Sequence, residues 1–315
     1  MMASSKASMS SLAARMKLKS AHDTILPNTI PTLVYGTAWK KERSTDLVYQ
    51  ALKQGFRGVD TAAQPRHYQE KLVGDGIRKA IAEGIVKRED LYIQTKFTPL
   101  SGQDKDDMPY SIAQSIPERV HSSVASSLAN LNTSSNAEDS YIDCLVLHSP
   151  MPSLPETYEV WKTLSEYVPH RIRALGISST DLDTVASLIS DMDIPPSIVQ
   201  NRFYPATHWE VELRKLCHEN DIIYQSFWTL SGNPQLLRSS VVQNLAKDAG
   251  VEREVALYCL VLGLERVCIL DGTTNPEHMR GDLAGVEMVG SWAEGENKVR
   301  WQQALQDFKS VIGQS

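Results

Sequence analysis

Residues 56–84 read "FRGVDTAAQPRHYQEKLVGDGIRKAIAEG", and this stretch decides the fold. A short apolar run (56–62) rises to a polar end at Asp60, Pro65 turns the chain, and from Glu70 the apolar residues recur with a period near 3.6. That is one strand followed by one helix. The same unit recurs along the chain. Strand-like segments of similar length are "TLVYGT" (32–37), "LYIQTKF" (91–97), "IDCLVLHS" (142–149), "IRALGISS" (172–179), "SIVQNRFY" (197–204), "DIIYQSFW" (221–228) and "RVCILDGT" (266–273). Amphipathic stretches lie between them, ending with a pair over 239–265.

Near-continuous apolar strands alternating with amphipathic helices read as a parallel sheet covered on its outside. Eight units without a change of pattern favour closure into a ring, so the expected fold is α/β: a single-domain (β/α)8 TIM barrel. A doubly wound sheet is the rival. Its fingerprint G-x-G-x-x-G is missing, since "VYGTAWKKE" after the first strand holds one glycine. The expected division is an N-terminal arm over 1–23, a barrel over 24–285 and a helical tail over 286–315 packed on the barrel. The arm is Ser-rich with four Lys/Arg over residues 1–22 and no acid, and reads as disordered, with a weak organelle-targeting peptide as the alternative.

The 315 residues are 42% hydrophobic with net charge −6 and no basic block beyond the first twenty positions, which argues against a nucleic-acid partner. No apolar run reaches membrane-spanning length, because Glu265 and Arg266 break the best candidate. Cys144, Cys217, Cys259 and Cys268 form no C-x-x-C pair and read as reduced thiols of a cytoplasmic protein.

In such a barrel the polar residues at the C-terminal strand ends face one mouth. Here they are Asp60, Lys96, His148, Ser178, Ser179, Gln200, Asn201, Gln225 and Ser226. Singly each has an ordinary reading, as a helix cap, a core histidine or a lysine reaching to water. Together, an Asp, a Lys and a His on three successive strands form one cluster in which a buried Lys requires the Asp. A Lys–Asp pair beside a tyrosine favours the phenolate and prepares a proton donor, here Tyr68. A neutral His148 then holds a carbonyl oxygen.

These residues resemble the aldo-keto reductase family. The likeness runs in family order through "GTAW" (36–39), "GVDTAAQPRHYQEKLVG" (58–74), "QTKF" (94–97), "LVLHSP" (145–150), "LGISS" (175–179), "VQNRFYP" (199–205) and "TTNPEHM" (273–279). It implies an NAD(P)(H)-dependent oxidoreductase in which Asp60, Tyr68, Lys96 and His148 are catalytic. It places the cofactor on Gly36, Thr37, Ser178, Ser179, Gln200, Gln225, Ser226, Phe227, Trp228, Gly272, Thr273, Thr274, His278 and Asp282, with NADP(H) expected over NAD(H). Trp39, Phe97 and Trp228 are the expected substrate walls, the substrate is a small carbonyl compound, and the chain is expected to be a monomer or weak homo-oligomer.

The chain departs from the family pattern at three places. The family's Tyr follows its Asp by five residues, where Pro65 stands here; Tyr68 comes eight after Asp60 and leads into "LVG", with His67 as an alternative donor. Gln225 stands where relatives carry an aromatic ring, and no Lys/Arg pair occupies the places that would clasp a 2′-phosphate. Two other readings compete: a nucleotide-binding regulatory module with little turnover, and an aldolase using Lys96 as a Schiff base. The loop over 98–117 is read as a lid or a solvated excursion.

Overall fold

A computed structural model describes residues 9–18 and 29–314. Eight parallel strands close into a barrel: β1 (Leu33–Gly36), β2 (Gly58–Asp60), β3 (Tyr92–Phe97), β4 (Cys144–Leu147), β5 (Leu175–Ser178), β6 (Ile198–Arg202), β7 (Ile223–Phe227) and β8 (Val267–Asp271), with β8 pairing back onto β1. The expected ring is present, each strand within its anticipated segment.

Helices α1 (Ser44–Gln54), α2 (Glu70–Ala82), α3 (Ile116–Asn130), α4 (Leu154–Ser165), α5 (Leu182–Asp191) and α6 (Val211–Glu219) each follow a strand; α7 (Pro234–Leu237), α8 (Ser240–Ala249) and α9 (Arg253–Leu262) lie between β7 and β8, and α10 (Pro276–Glu294) and α11 (Lys298–Val311) end the chain. Several begin at sequence-encoded caps. Ser115 with Glu118, and Ser153 with Glu156, form capping boxes, and the Asp181 side chain accepts the Thr184 N–H at 2.8 Å. Close helix packing depends on glycine at two places in α2: a Cβ on Gly74 would lie 2.0 Å from the Asn130 carbonyl oxygen, and one on Gly76 2.6 Å from that of Thr45.

Strand alternation divides the core in two. Outward side chains such as Val59, Ile93, Leu145 and Ile177 pack under the helices with Phe56, Val73, Ile77 and Trp161. Inward side chains Val34, Tyr92, Cys144, Val146, Ile198, Ile223 and Cys268 fill the interior.

The described part of the N-terminal arm is not a free segment. Met16–Lys17 pairs antiparallel with Thr29–Ile30, and Leu18 and Ile30 are buried against the interior plug. Ser10 donates from its N–H and Oγ to Glu287 of α10 at 3.0 and 3.2 Å. The physical reason is apolar burial: Leu18 and Ile30 join the cluster of Val34, Tyr92 and Ile198, and each large apolar side chain buried gains about 1.5–3 kcal/mol. Residues 1–8 and 19–23 of the expected arm lie outside the described residues. The boundary anticipated at 285/286 falls inside α10, so the tail continues the last barrel helix.

Candidate active site

At the mouth, inward-facing ends of β2 and β3 bring Asp60 and Lys96 together, and both are almost fully buried. Lys96 Nζ donates to Asp60 Oδ1 (2.7 Å) and Oδ2 (2.6 Å) and to the Thr61 carbonyl (2.9 Å). Although burial opposes the ammonium, Asp60 and Tyr68 hold the Lys96 pKa above its ordinary value. Asp60 is held from its other side too: Gln94 Nε2 donates to Oδ1 at 2.6 Å and Gln200 Nε2 at 3.2 Å, while both amides also donate to Gln225 Oε1 at 2.6 and 2.5 Å. This chain of amides crosses the barrel interior from β3 through β7 to β6.

Tyr68 reaches the pair from a turn in which Gln64 O accepts the N–H groups of His67 (3.1 Å) and Tyr68 (3.0 Å). Lys96 Nζ lies 4.9 Å from the centre of the Tyr68 ring, close enough for its charge to act on the phenol. Burial raises the phenol pKa, Lys96 pulls it back, and the net value stays above the ordinary one. The lowering by Lys96 expected from the sequence is present, but desolvation exceeds it, so the phenol holds its proton. The Tyr68 ring stands edge-on to His148, centres 5.8 Å apart. His148 Nδ1 is 2.7 Å from Thr98 Oγ1, and burial first, then Lys96, push its pKa down to about 3, so the ring is neutral. His67, the alternative donor, packs on Trp39 with ring centres 4.0 Å apart and also lines the cavity above the cluster.

A cavity of about 1330 Å³ opens above this cluster. It exceeds the roughly 300–1,000 Å³ of ordinary small-ligand sites and runs from Asp60, Tyr68 and His148 to the β8–α10 connection and the α8–α9 turn. Of the residues implied by the resemblance, Gly36, Ser178, Ser179, Gln200, Phe227, Trp228, Gly272, Thr273, His278 and Asp282 line it. Trp39 and Trp228 form its rim, 66% and 51% exposed, with the Arg202 guanidinium 4.5 Å over the Trp228 ring. Trp39, Ser179 and Trp228 all hold positive φ (63°, 51° and 59°), a cost that non-glycine residues bear mainly where a site demands it.

Other expected residues stand elsewhere. Phe97 is not a substrate wall: the strand that turns Lys96 inward turns Phe97 outward, where it is buried 5.8 Å from Tyr110. Thr37 donates its hydroxyl to the Asp60 carbonyl at 2.8 Å, Gln225 is sealed in the interior, and Ser226 pairs with Thr229 Oγ1 at 2.5 Å; with Thr274, none of these lines the cavity. The 98–117 loop does not line it either. Its residues are tied beside the mouth, with Gln103 Nε2 donating to the Ala63 carbonyl (2.8 Å) and the Tyr110 hydroxyl to the Thr98 carbonyl (2.7 Å). Lining residues not anticipated include Lys40, Arg202, Glu252, Glu254 and Tyr258. Lys40, Glu252 and Glu254 come from connections and a helix start, where no strand rule points to the mouth.

The site suits a long ligand with an amide at one end. Ser178, Ser179 and Gln200 offer adjacent polar groups beside Tyr68, and the exposed Trp228 offers an apolar face. A nicotinamide dinucleotide has that form. Among the described residues, no cluster of His, Cys, Asp or Glu is arranged to hold a metal, and no helix is long and apolar enough to cross a membrane.

Comparison with known proteins agrees with this architecture. An oxidoreductase of Bacillus subtilis, YtbE, is 28% identical over 240 residues, 76% of each chain, and the NAD(P)H-dependent D-xylose reductase I,II of Candida tropicalis is 28% identical over 299 residues, 82% of this chain and 85% of its own. The crystal structure of a Bombyx mori aldo-keto reductase complexed with NADPH superposes with a TM-score of 0.65 at 18% identity, covering 89% of this chain and 88% of the other, a likeness of fold. The model of the Aldo/keto reductase family matches residues 32–278. With that match over most of its length and the closed eight-stranded ring beneath it, the chain belongs to the aldo/keto reductase family.

Proposed function

We propose that this protein is an NAD(P)H-dependent oxidoreductase that reduces the carbonyl group of a small aldehyde or ketone. The observation that carries the reading is the Tyr68 ring set 4.9 Å from the Lys96 ammonium, itself held by Asp60, at the floor of the large cavity. The nicotinamide cofactor, when bound, supplies hydride to the carbonyl carbon. Ser178, Ser179 and Gln200 would hold its carboxamide, and Gln200 would turn from its present amide partners to do so.

Tyr68 gives its proton to the carbonyl oxygen as charge develops there. Lys96 stabilises the phenolate left behind, and Asp60 keeps Lys96 charged and in place. With the Thr98 hydroxyl donating to Nδ1, His148 carries its proton on Nε2 and donates it to the substrate oxygen. The aromatic rim of Trp39 and Trp228 favours apolar or aromatic carbonyl compounds. The same geometry speaks against the aldolase alternative, since an ammonium with two carboxylate contacts and a raised pKa is a poor Schiff-base nucleophile. Four buried free thiols suit a reducing compartment, in keeping with a cytoplasmic protein.

The test is consumption of reduced nicotinamide with a panel of aromatic and aliphatic aldehydes, for wild type and Tyr68→Phe. The variant should lose about 10²–10⁴-fold in kcat while cofactor affinity stays within about twofold. Unchanged turnover would show that another group delivers the proton.

A further inference from the structure

Resting on the reductase reading, we propose that the far end of this cavity selects the cofactor with a free 2′-hydroxyl, NAD(H), over its 2′-phosphorylated form. Tyr68 and His148 fix where the nicotinamide must sit, so the adenosine half extends to the other end of the same cavity. That end is lined by Asp271, Glu252, Glu254, Glu277 and Asp282. Among the described residues that line it, the cations are few. Lys40 donates to the Gly272 carbonyl and lies near Asp271, and His278 is the other candidate. The start of α10 brings a positive dipole, but Asn275 already accepts the Glu277 N–H at 2.9 Å, and Glu277 itself fills the first turn.

The centre of this region is a buried carboxyl pair. Asp271, 1% exposed, accepts the Thr273 N–H at 3.0 Å with Oδ1, and the rest of its carboxyl faces Asp282 and Tyr258. Asp282 lies beside it. Burial first, and then the charge of Asp271, push the Asp282 carboxyl up to about 8. Even with one proton shared, the region is anionic. An anionic wall of this kind, with Glu252, Glu254 and Glu277 beside the buried pair, tolerates a free ribose hydroxyl and repels a phosphate dianion. A basic clasp would reverse the preference; one ammonium already bonded to a carbonyl is not that clasp.

The test uses the full chain and the four cofactors. Quenching of tryptophan fluorescence by NADH and NADPH, with calorimetry for NAD⁺ and NADP⁺, gives each Kd. The unphosphorylated forms should bind at least about tenfold more tightly at low salt, and the gap should shrink in 0.5 M NaCl as repulsion is screened. Glu252→Gln and Glu277→Gln, each an exposed lining residue whose substitution leaves the buried pair intact, should narrow the gap through tighter NADPH binding, and the double variant should narrow it further. Equal or tighter binding of NADPH by a protein that still reduces aldehydes overturns this proposal alone, and so does a gap that neither salt nor variant changes. Binding of no nicotinamide cofactor overturns both it and the reductase reading.

Discussion

Replacing Asp60 by Asn removes the carboxylate bonded to Lys96 without changing side-chain size. In the native protein Lys96 Nζ has three acceptors, two of them on Asp60, and the pair is out of water. In the variant an amide N–H2 or a single oxygen replaces them. Removing one partner of a buried pair typically costs about 3–5 kcal/mol, because the remaining charge stays desolvated. With a urea slope of about 3 kcal/mol per molar for a chain of this size, the unfolding midpoint should fall by about 1–1.7 M. Lys96→Met should cost a similar amount, through a stranded Asp60 that keeps its bonds from Gln94 and Gln200. The double variant is the decisive arm. With both charges gone, and the oxygen of the introduced amide still accepting from the two glutamines, stability should return to within about 1–2 kcal/mol of wild type while reduction stays abolished. Circular dichroism during urea titration reads the midpoints, and nicotinamide absorbance reads turnover. A single variant with the wild-type midpoint, or a double variant as unstable as the sum of the singles, would refute the idea that this pair serves catalysis at a cost to stability.

Two further outcomes follow from the same geometry. His148 is held below its ordinary pKa, so the unfolded chain takes up that proton first; its contribution is fully present above about pH 6.5 and is lost as pH falls toward 3, and His148→Asn should flatten the acid side of a stability–pH curve measured by urea unfolding. An unaltered acid limb would show that the ring is not held neutral. Gly74→Ala puts a methyl group 2.0 Å from a backbone oxygen of Asn130 and should cost about 1–3 kcal/mol with α2 and α3 pushed apart; a thermal midpoint equal to wild type would mean the helices do not meet so closely.

The ring was legible because its signal is repetitive: eight apolar runs each end in polar residues, and closure buries both faces of every one. Asp60, Lys96 and His148 were legible for the same reason, as strand ends that must face the mouth. Tyr68 required the link between "HYQE" and the start of α2, and the Gln64-centred turn is what carries its ring back over Lys96. Phe97 and Ser226 were misread by counting strand ends without parity, since each directly follows an inward residue and turns the other way. Gln225 failed differently. It does point inward, but the fused amides of Gln94 and Gln200 seal it below the cavity, a tertiary arrangement no single segment announces. Residues 9–18 lack any strong pattern, and Leu18 is placed only by its tertiary contacts with the interior cluster.

The three glutamines tie the Asp60 carboxylate to strands on opposite sides of the ring, so the Asp60–Lys96 pair is anchored to the closure itself. Unzipping any one seam between neighbouring strands would slacken that amide strap before it reached the mouth. On the proposed reading the site has no half-built form: a barrel ajar at one edge is also a barrel whose ammonium is losing its anchor.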